Sequence, residues 1–188
     1  MPKPSFIVEG YLEQRMVQAA CPGAKVVLLG ANGDNVSMGT IAKFIATQFR
    51  LFNNRYYPIV VIFDREKRNE PCTDLKAELC KQLKSKRIDA EQFIFFISDR
   101  DIETIFVCHV ALDGEIIDTG CPHTQSVDGL DGEAELRRRL ERKGIAYHKT
   151  TIGIQLFRRV RPFIVAAKSD NFRAFRGQIL GMCPWAAL

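Results

Sequence analysis

No apolar run in this chain approaches the roughly 18 residues that a membrane-spanning helix needs. A helical membrane protein is therefore not expected. The opening residues, Met1-Pro2-Lys3-Pro4-Ser5, lead straight into a strand-like segment. They lack the apolar stretch and cleavage site of a signal peptide. The expected location is the cytoplasm, with no membrane partner. Cys-x-x-Cys pairs are missing as well. The six cysteines, Cys21, Cys72, Cys80, Cys108, Cys121 and Cys183, offer no zinc spacing, and Cys121-Pro122-His123 is too short to count. Reduced thiols in or near the core are expected. His109, His123 and His148 are widely spaced and assemble no nucleophilic triad. The loop Gly30-Ala31-Asn32-Gly33-Asp34-Asn35 lacks the Gly-Lys-Ser/Thr of a P-loop and the spacing of a dinucleotide fingerprint. It reads as a plain turn, or as a phosphate cradle ahead of a helix N-terminus. No repeat and no low-complexity tract is visible.

What is present suits one globular domain, or one domain with an extension: 188 residues, 46% hydrophobic and 26% charged. The net charge of +5 is unevenly spread. The later part is rich in Arg and Lys, from Arg137 to Arg176, against the acids Glu133, Glu135, Glu141 and Asp170. Such a surface suits a phosphodiester partner. A solvated helical face with ordinary Lys and Arg is the other reading. Arg65, Lys67 and Arg68 either steer a nucleic-acid backbone or balance local acids. Trp185 and the Phe-rich stretches are read as core.

The pattern alternates strand and helix. Strands are expected at Ser5 to Glu9, Ala24 to Leu29, Ile59 to Phe63 and Gln92 to Ile97. Helices are expected at Tyr11 to Ala20, Ser37 to about Asn53, and Asp74 to Ser85 with Thr73 as N-cap. Asp101 to Leu112 reads as a short helix, though its Ile-Phe-Val content also suits a strand. Asp113 to Asp131 reads as a long loop with a hairpin around Asp113-Gly114. Helices follow at Gly132 to Lys143, Thr150 to Ala167 and Ser169 to Leu180, with a break near Pro162. The expected fold class is α/β: a mostly parallel sheet flanked by helices over residues 1–112, then a basic, mainly helical part over 113–188.

Acids sit where the apolar runs stop. Phe6-Ile7-Val8 ends at Glu9-Gly10, and Val60-Val61-Ile62-Phe63 ends at Asp64-Arg65-Glu66. Glu103 follows the fourth strand, with Asp99 and Asp101 nearby. The C-terminal edge of an open α/β sheet is where ligands bind. Neighbouring strand tips lie ~5 Å apart, so these carboxylates would converge on a divalent cation through hard oxygen ligands. Asp64 and Glu66, two apart in an extended segment, would face the same side.

Here the sequence resembles the TOPRIM family, the domain shared by topoisomerases, bacterial primases and overcoming-lysogenization-defect nucleases. Val8-Glu9-Gly10-Tyr11 looks like the primase form of the first motif, Leu28-Leu29-Gly30 the second, and Phe63-Asp64-Arg65-Glu66 the third. Asp101-Ile102-Glu103 is similar to an extra acidic motif of the nuclease branch. Glu66 stands where the family has a second Asp. The resemblance covers about residues 5–110 and implies a TOPRIM-like, Rossmann-like fold. It implies Mg²⁺ or Mn²⁺ held by Glu9, Asp64, Glu66 and Glu103, with Glu9 as ligand or general acid/base. Gly10 and Gly30 would let the backbone turn and approach the cofactor. Lys168 or an arginine of the later part would offset phosphate charge in catalysis. The implied activity is that of a small metal-dependent nuclease acting on nucleic acid, in a defence or DNA-maintenance setting. A catalytically inactive module binding nucleic acid, nucleotide or protein is the alternative. A complex-forming subunit, with a protein partner, is a third reading.

Overall fold

The computed structural model describes residues 3–30, 36–107, 110–112, 115–117 and 126–188. Four strands build its main sheet: β1 (Lys3–Val8), β2 (Lys25–Leu28), β3 (Tyr56–Asp64) and β4 (Phe93–Ser98). They are all parallel, in the order β2-β1-β3-β4. Helices cover both faces, an α/β arrangement compatible with a Rossmann-like fold.

Side-chain alternation divides the core in two. Phe6, Val8, Val60, Ile62 and Phe96 point to one face. Ile7, Ile59, Val61, Phe63, Phe95 and Ile97 point to the other. The second face carries α2 (Met38–Phe52) and α3 (Cys72–Ser85). The α2 stripe of Ile41, Ala42, Ile45 and Ala46 is fully buried there. Ser37 caps α2 by accepting from the Thr40 N–H at 3.2 Å, and Asn53 ends it in the left-handed region. Expectation and structure differ at α3. It begins a residue before Thr73, with Pro71 at the cap position, because Pro fits a helix start that needs no N–H.

The first face carries α1 (Tyr11–Ala20), the short α4 (Thr104–Val107), α5 (Gly132–Glu141), α6 (Ile154–Phe157), α7 (Pro162–Lys168) and α8 (Asp170–Ile179). Phe175 of α8 stacks on Phe96 of β4 with ring centroids 4.5 Å apart. The two parts divided at residue 112 therefore share one apolar core. Between them, β5 (Val110–Leu112) and β6 (Glu115–Ile117) pair antiparallel; Asp113-Gly114, where a hairpin is expected, lies outside the described residues. Positions 118–125 of the expected loop also lie outside the described residues, as do positions 31–35 of the glycine-rich loop.

The helix expected over Thr150 to Ala167 is broken into a wide turn at Lys149–Gly153, then α6, then α7 with Pro162 in its first turn. Pro162 has no N–H to continue a helix. At Gly153 a Cβ would lie 3.1 Å from Leu12 of α1 and from the Tyr147 hydroxyl. A larger residue here would require Leu12 or Tyr147 to give by a few tenths of an ångström.

The reduced-thiol expectation is overturned at two positions. Cys21 and Cys183 are joined as a disulfide, with Cα atoms 4.8 Å apart. The same core buries both, bringing the end of α1 onto the C-terminal segment. Cys72 and Cys80 are free. Among the described residues, no helix is long and apolar enough to cross a membrane.

Candidate active site

Strand register creates the site. In the β1–β3 ladder, Val8 stands beside Ile62. The Glu9 N–H then donates to the Ile62 carbonyl at 3.1 Å, holding the residue after β1 against β3. The Glu9 carboxylate turns toward the tip of β3, where its Oε2 accepts the Asp64 backbone N–H at 2.7 Å. In the β3–β4 ladder, Asp64 stands beside Ser98. The Ser98 hydroxyl donates to Asp64 Oδ1 in a short contact. Asp64 is buried, and burial pushes its carboxyl well above the usual range. The charges of Glu13, Glu9 and Glu103 push the same way, while the Ser98 hydrogen bond opposes them.

Glu13 joins this group from α1. Its Oε2 accepts the Gly10 N–H at 2.9 Å, closing the first turn of the helix. A Cβ at position 10 would come within 2.8 Å of that oxygen. Gly10 thus makes room for a buried carboxylate. Burial raises the Glu13 carboxyl to about 7, and the charges of Glu103 and Glu9 add to the effect.

Glu103 arrives from the turn ahead of α4 and is fully buried. Its Oε1 accepts the Tyr147 hydroxyl at 3.3 Å and the Lys149 ammonium at 3.1 Å. Its Oε2 has no hydrogen-bond partner among the described residues. Lys149 also reaches Glu133 at 2.7 Å. These two carboxylates raise its pKa despite the opposing effect of burial. Gly132, at the start of α5, packs so tightly on the Asp101–Thr104 segment that a Cβ would clash with the Thr104 N and lie 2.6 Å from the Glu103 carbonyl carbon. Asp101 accepts the backbone N–H groups of Thr104 at 3.2 Å and Glu133 at 3.3 Å, tying this segment to α5. Burial, with the Glu103 charge, raises the Asp101 carboxyl to about 6.

A cleft of about 440 Å³ opens beside this cluster, lined by Asp64, Glu66, Lys67, Asp101, Glu133 and Lys149, among others. Glu66 reaches it by a route other than strand alternation. The strand ends at Asp64, and Glu66 adopts a φ of 53° with its N–H on the Arg100 carbonyl at 2.7 Å. A tight turn, not an extended segment, brings it to the same cleft as Asp64.

Other expected residues lie elsewhere. Gly30 has a φ of 68°, and among the described residues a Cβ there would meet Phe44, at 3.7 Å. It serves the turn after β2 and does not line the cleft. Lys168 ends α7, where its carbonyl accepts the Val127 N–H at 3.0 Å, and it does not line the cleft either. Arg65 is engaged with Asp99 at 2.7 Å. Arg68 donates to the carbonyls of Asp64, Arg65 and Val36. Both therefore brace the chain around the site, while Lys67 is exposed.

Glu13, Tyr147, Lys149 and Glu133 were not singled out from sequence. Glu13 had a legible signal: it sits three residues after Gly10 and shares the apolar stripe of Met16, Val17 and Ala20. The others come from a distant, irregular segment and from α5, and no local pattern points to them.

Among the described residues, no three His, Cys, Asp or Glu side chains converge as a ready metal cage. The donor set nevertheless fits a hard divalent cation in kind. One or two carboxylates with several waters is the usual way to hold Mg²⁺, and Glu9 and Asp64 supply two on adjacent strand tips. A buried oxygen of Glu103, without a partner among the described residues, stands in the same cluster. Compared with known protein families, curated proteins and solved structures, the chain matches none of them.

Proposed function

We propose that this chain is a TOPRIM-type protein that processes phosphodiester bonds with Mg²⁺ or Mn²⁺, acting as a small nuclease on nucleic acid. One observation carries the reading. The half-buried Glu9 carboxylate meets the backbone of Asp64 at the shared edge of two parallel strands, beside the buried carboxylates of Asp64, Glu13 and Glu103. Holding several ionised carboxylates out of water is costly, and a cation between Glu9 and Asp64 would offset that cost. Burial and mutual repulsion raise the carboxyls of Asp64 and Glu13, and a bound cation would lower them.

In this reading Glu9 and Asp64 hold the ion, and Glu66 faces the cleft where the substrate phosphate would lie. A bound ion would polarise a phosphoryl oxygen and acidify a water. Ser98 and the Asp64 N–H hold the two ligands in place through the contacts described above. Lys67, exposed at the cleft, and Arg100 and Arg137 in its lining would meet the phosphates of the substrate.

The test uses fluorescent single- and double-stranded DNA and RNA oligonucleotides. Cleavage is expected with Mn²⁺ or Mg²⁺ and is lost on chelation. Salt-sensitive binding without cleavage, unchanged by chelator, would favour the inactive binding module. Neither cleavage nor binding would remove nucleic acid from the account.

A further inference from the structure

Resting on that metal-site reading, we propose that Lys149 is a tethered substitute for a second metal ion, so that the chain binds one divalent cation where a two-ion site would bind two. The Lys149 ammonium lies 3.1 Å from Glu103 and 2.7 Å from Glu133, between two carboxylates that a second cation would otherwise bridge. Glu103 is fully buried, with Tyr147 as its other partner. A buried carboxylate gives up a paired cation only at high cost, so the ammonium keeps its place.

The backbone under Lys149 is fixed as well. The wide turn it opens is closed by N–H donation from Thr151 and Gly153 to the His148 carbonyl, at 3.2 and 3.1 Å. Gly153 seats that turn against Leu12 and Tyr147. Arg137 adds support, donating to the Tyr147 carbonyl at 3.3 Å and to Glu133. Among the described residues Glu103 Oε2 has no partner, while the ammonium lies on Oε1. Removing the ammonium, and nothing else, leaves Glu103 and Glu133 as an oxygen pair open to a second ion. A lysine held this way supplies one positive charge at all times and needs no metal to be recruited there.

The experiment counts bound Mn²⁺ by electron paramagnetic resonance and calorimetry in the full chain, Lys149→Met, and Glu103→Gln/Lys149→Met. The expected counts are one, two and one. Thermal melting of the same proteins is followed with and without Mn²⁺. Lys149→Met is expected to melt lower than the parent without metal, and to regain more on Mn²⁺ addition than the parent gains. One ion in both the parent and a folded Lys149→Met, or two in the parent, overturns the substitution and leaves the metal site standing. No ion in any of the three overturns the metal reading and the substitution together. A Lys149→Met chain that melts lower and is not rescued by Mn²⁺ reduces Lys149 to a structural ion pair.

Discussion

Replacing Asp64 by Ala should lower metal-dependent cleavage by at least about 10³-fold, to background. A metal centre contributes several kcal/mol of charge stabilisation in the transition state, and about 4 kcal/mol corresponds to that factor. Asp64 is one of two strand-tip carboxylates that hold the ion in this account, so its loss is not compensated. The fold should survive. Alanine leaves the Ser98 hydroxyl without its acceptor, a cost of about 1–3 kcal/mol. It also relieves repulsion from Glu13, Glu9 and Glu103. Asp64→Asn separates the two effects, because its amide oxygen still accepts from Ser98. That variant should be as inactive as Ala and no less stable than the parent in chelator. Retained cleavage in a folded Asp64→Asn chain would remove Asp64 from the metal site.

Glu13→Gln should stabilise the metal-free chain at pH 8 by about 2–3 kcal/mol. The Glu13 carboxyl stands at about 7 in the folded chain against an ordinary 4.5. The folded state therefore keeps a proton that the unfolded state releases. Its contribution to stability is fully present below pH 4.5 and is lost as pH rises through about 7. Above that pH the folded chain bears the whole cost of a buried, crowded carboxylate, for which the gap in pKa gives about 3 kcal/mol. Glutamine carries no charge and still accepts the Gly10 N–H. Its advantage should be small near pH 4.5, grow up to about pH 7, and shrink when Mn²⁺ supplies the missing charge. Urea unfolding at several pH values, with and without Mn²⁺, measures it. A Glu13→Gln chain that is less stable at pH 8 would mean that Glu13 is a plain helix cap and not part of a charge-crowded site.

Much of the site was legible because it lies at strand ends. An apolar, β-branched run followed by Glu9-Gly10, and another followed by Asp64, announce buried strands with acids at one edge. Parallel pairing then brings those two residues into contact. The α2 stripe was equally readable, since Ile41 and Ile45 repeat at helical spacing. Glu66 reached the expected cleft by an unexpected path, because strand alternation stops where the backbone enters a left-handed turn. Lys168 was a choice by charge alone. The ammonium that reaches Glu103 is that of Lys149, carried by a wide turn that packs against α1 at Gly153. The Cys21–Cys183 bond was hidden for a similar reason. It is a contact between the end of the first helix and the last residues, and pairing over such a distance follows from the packed core, not from spacing.

The most direct measurement is anomalous diffraction from crystals of the chain soaked in Mn²⁺. The account predicts a peak between the carboxylates of Glu9 and Asp64, with Lys149 still on Glu103. Ordered side chains with no peak there, or a Glu9 turned away from the tip of β3, would contradict it.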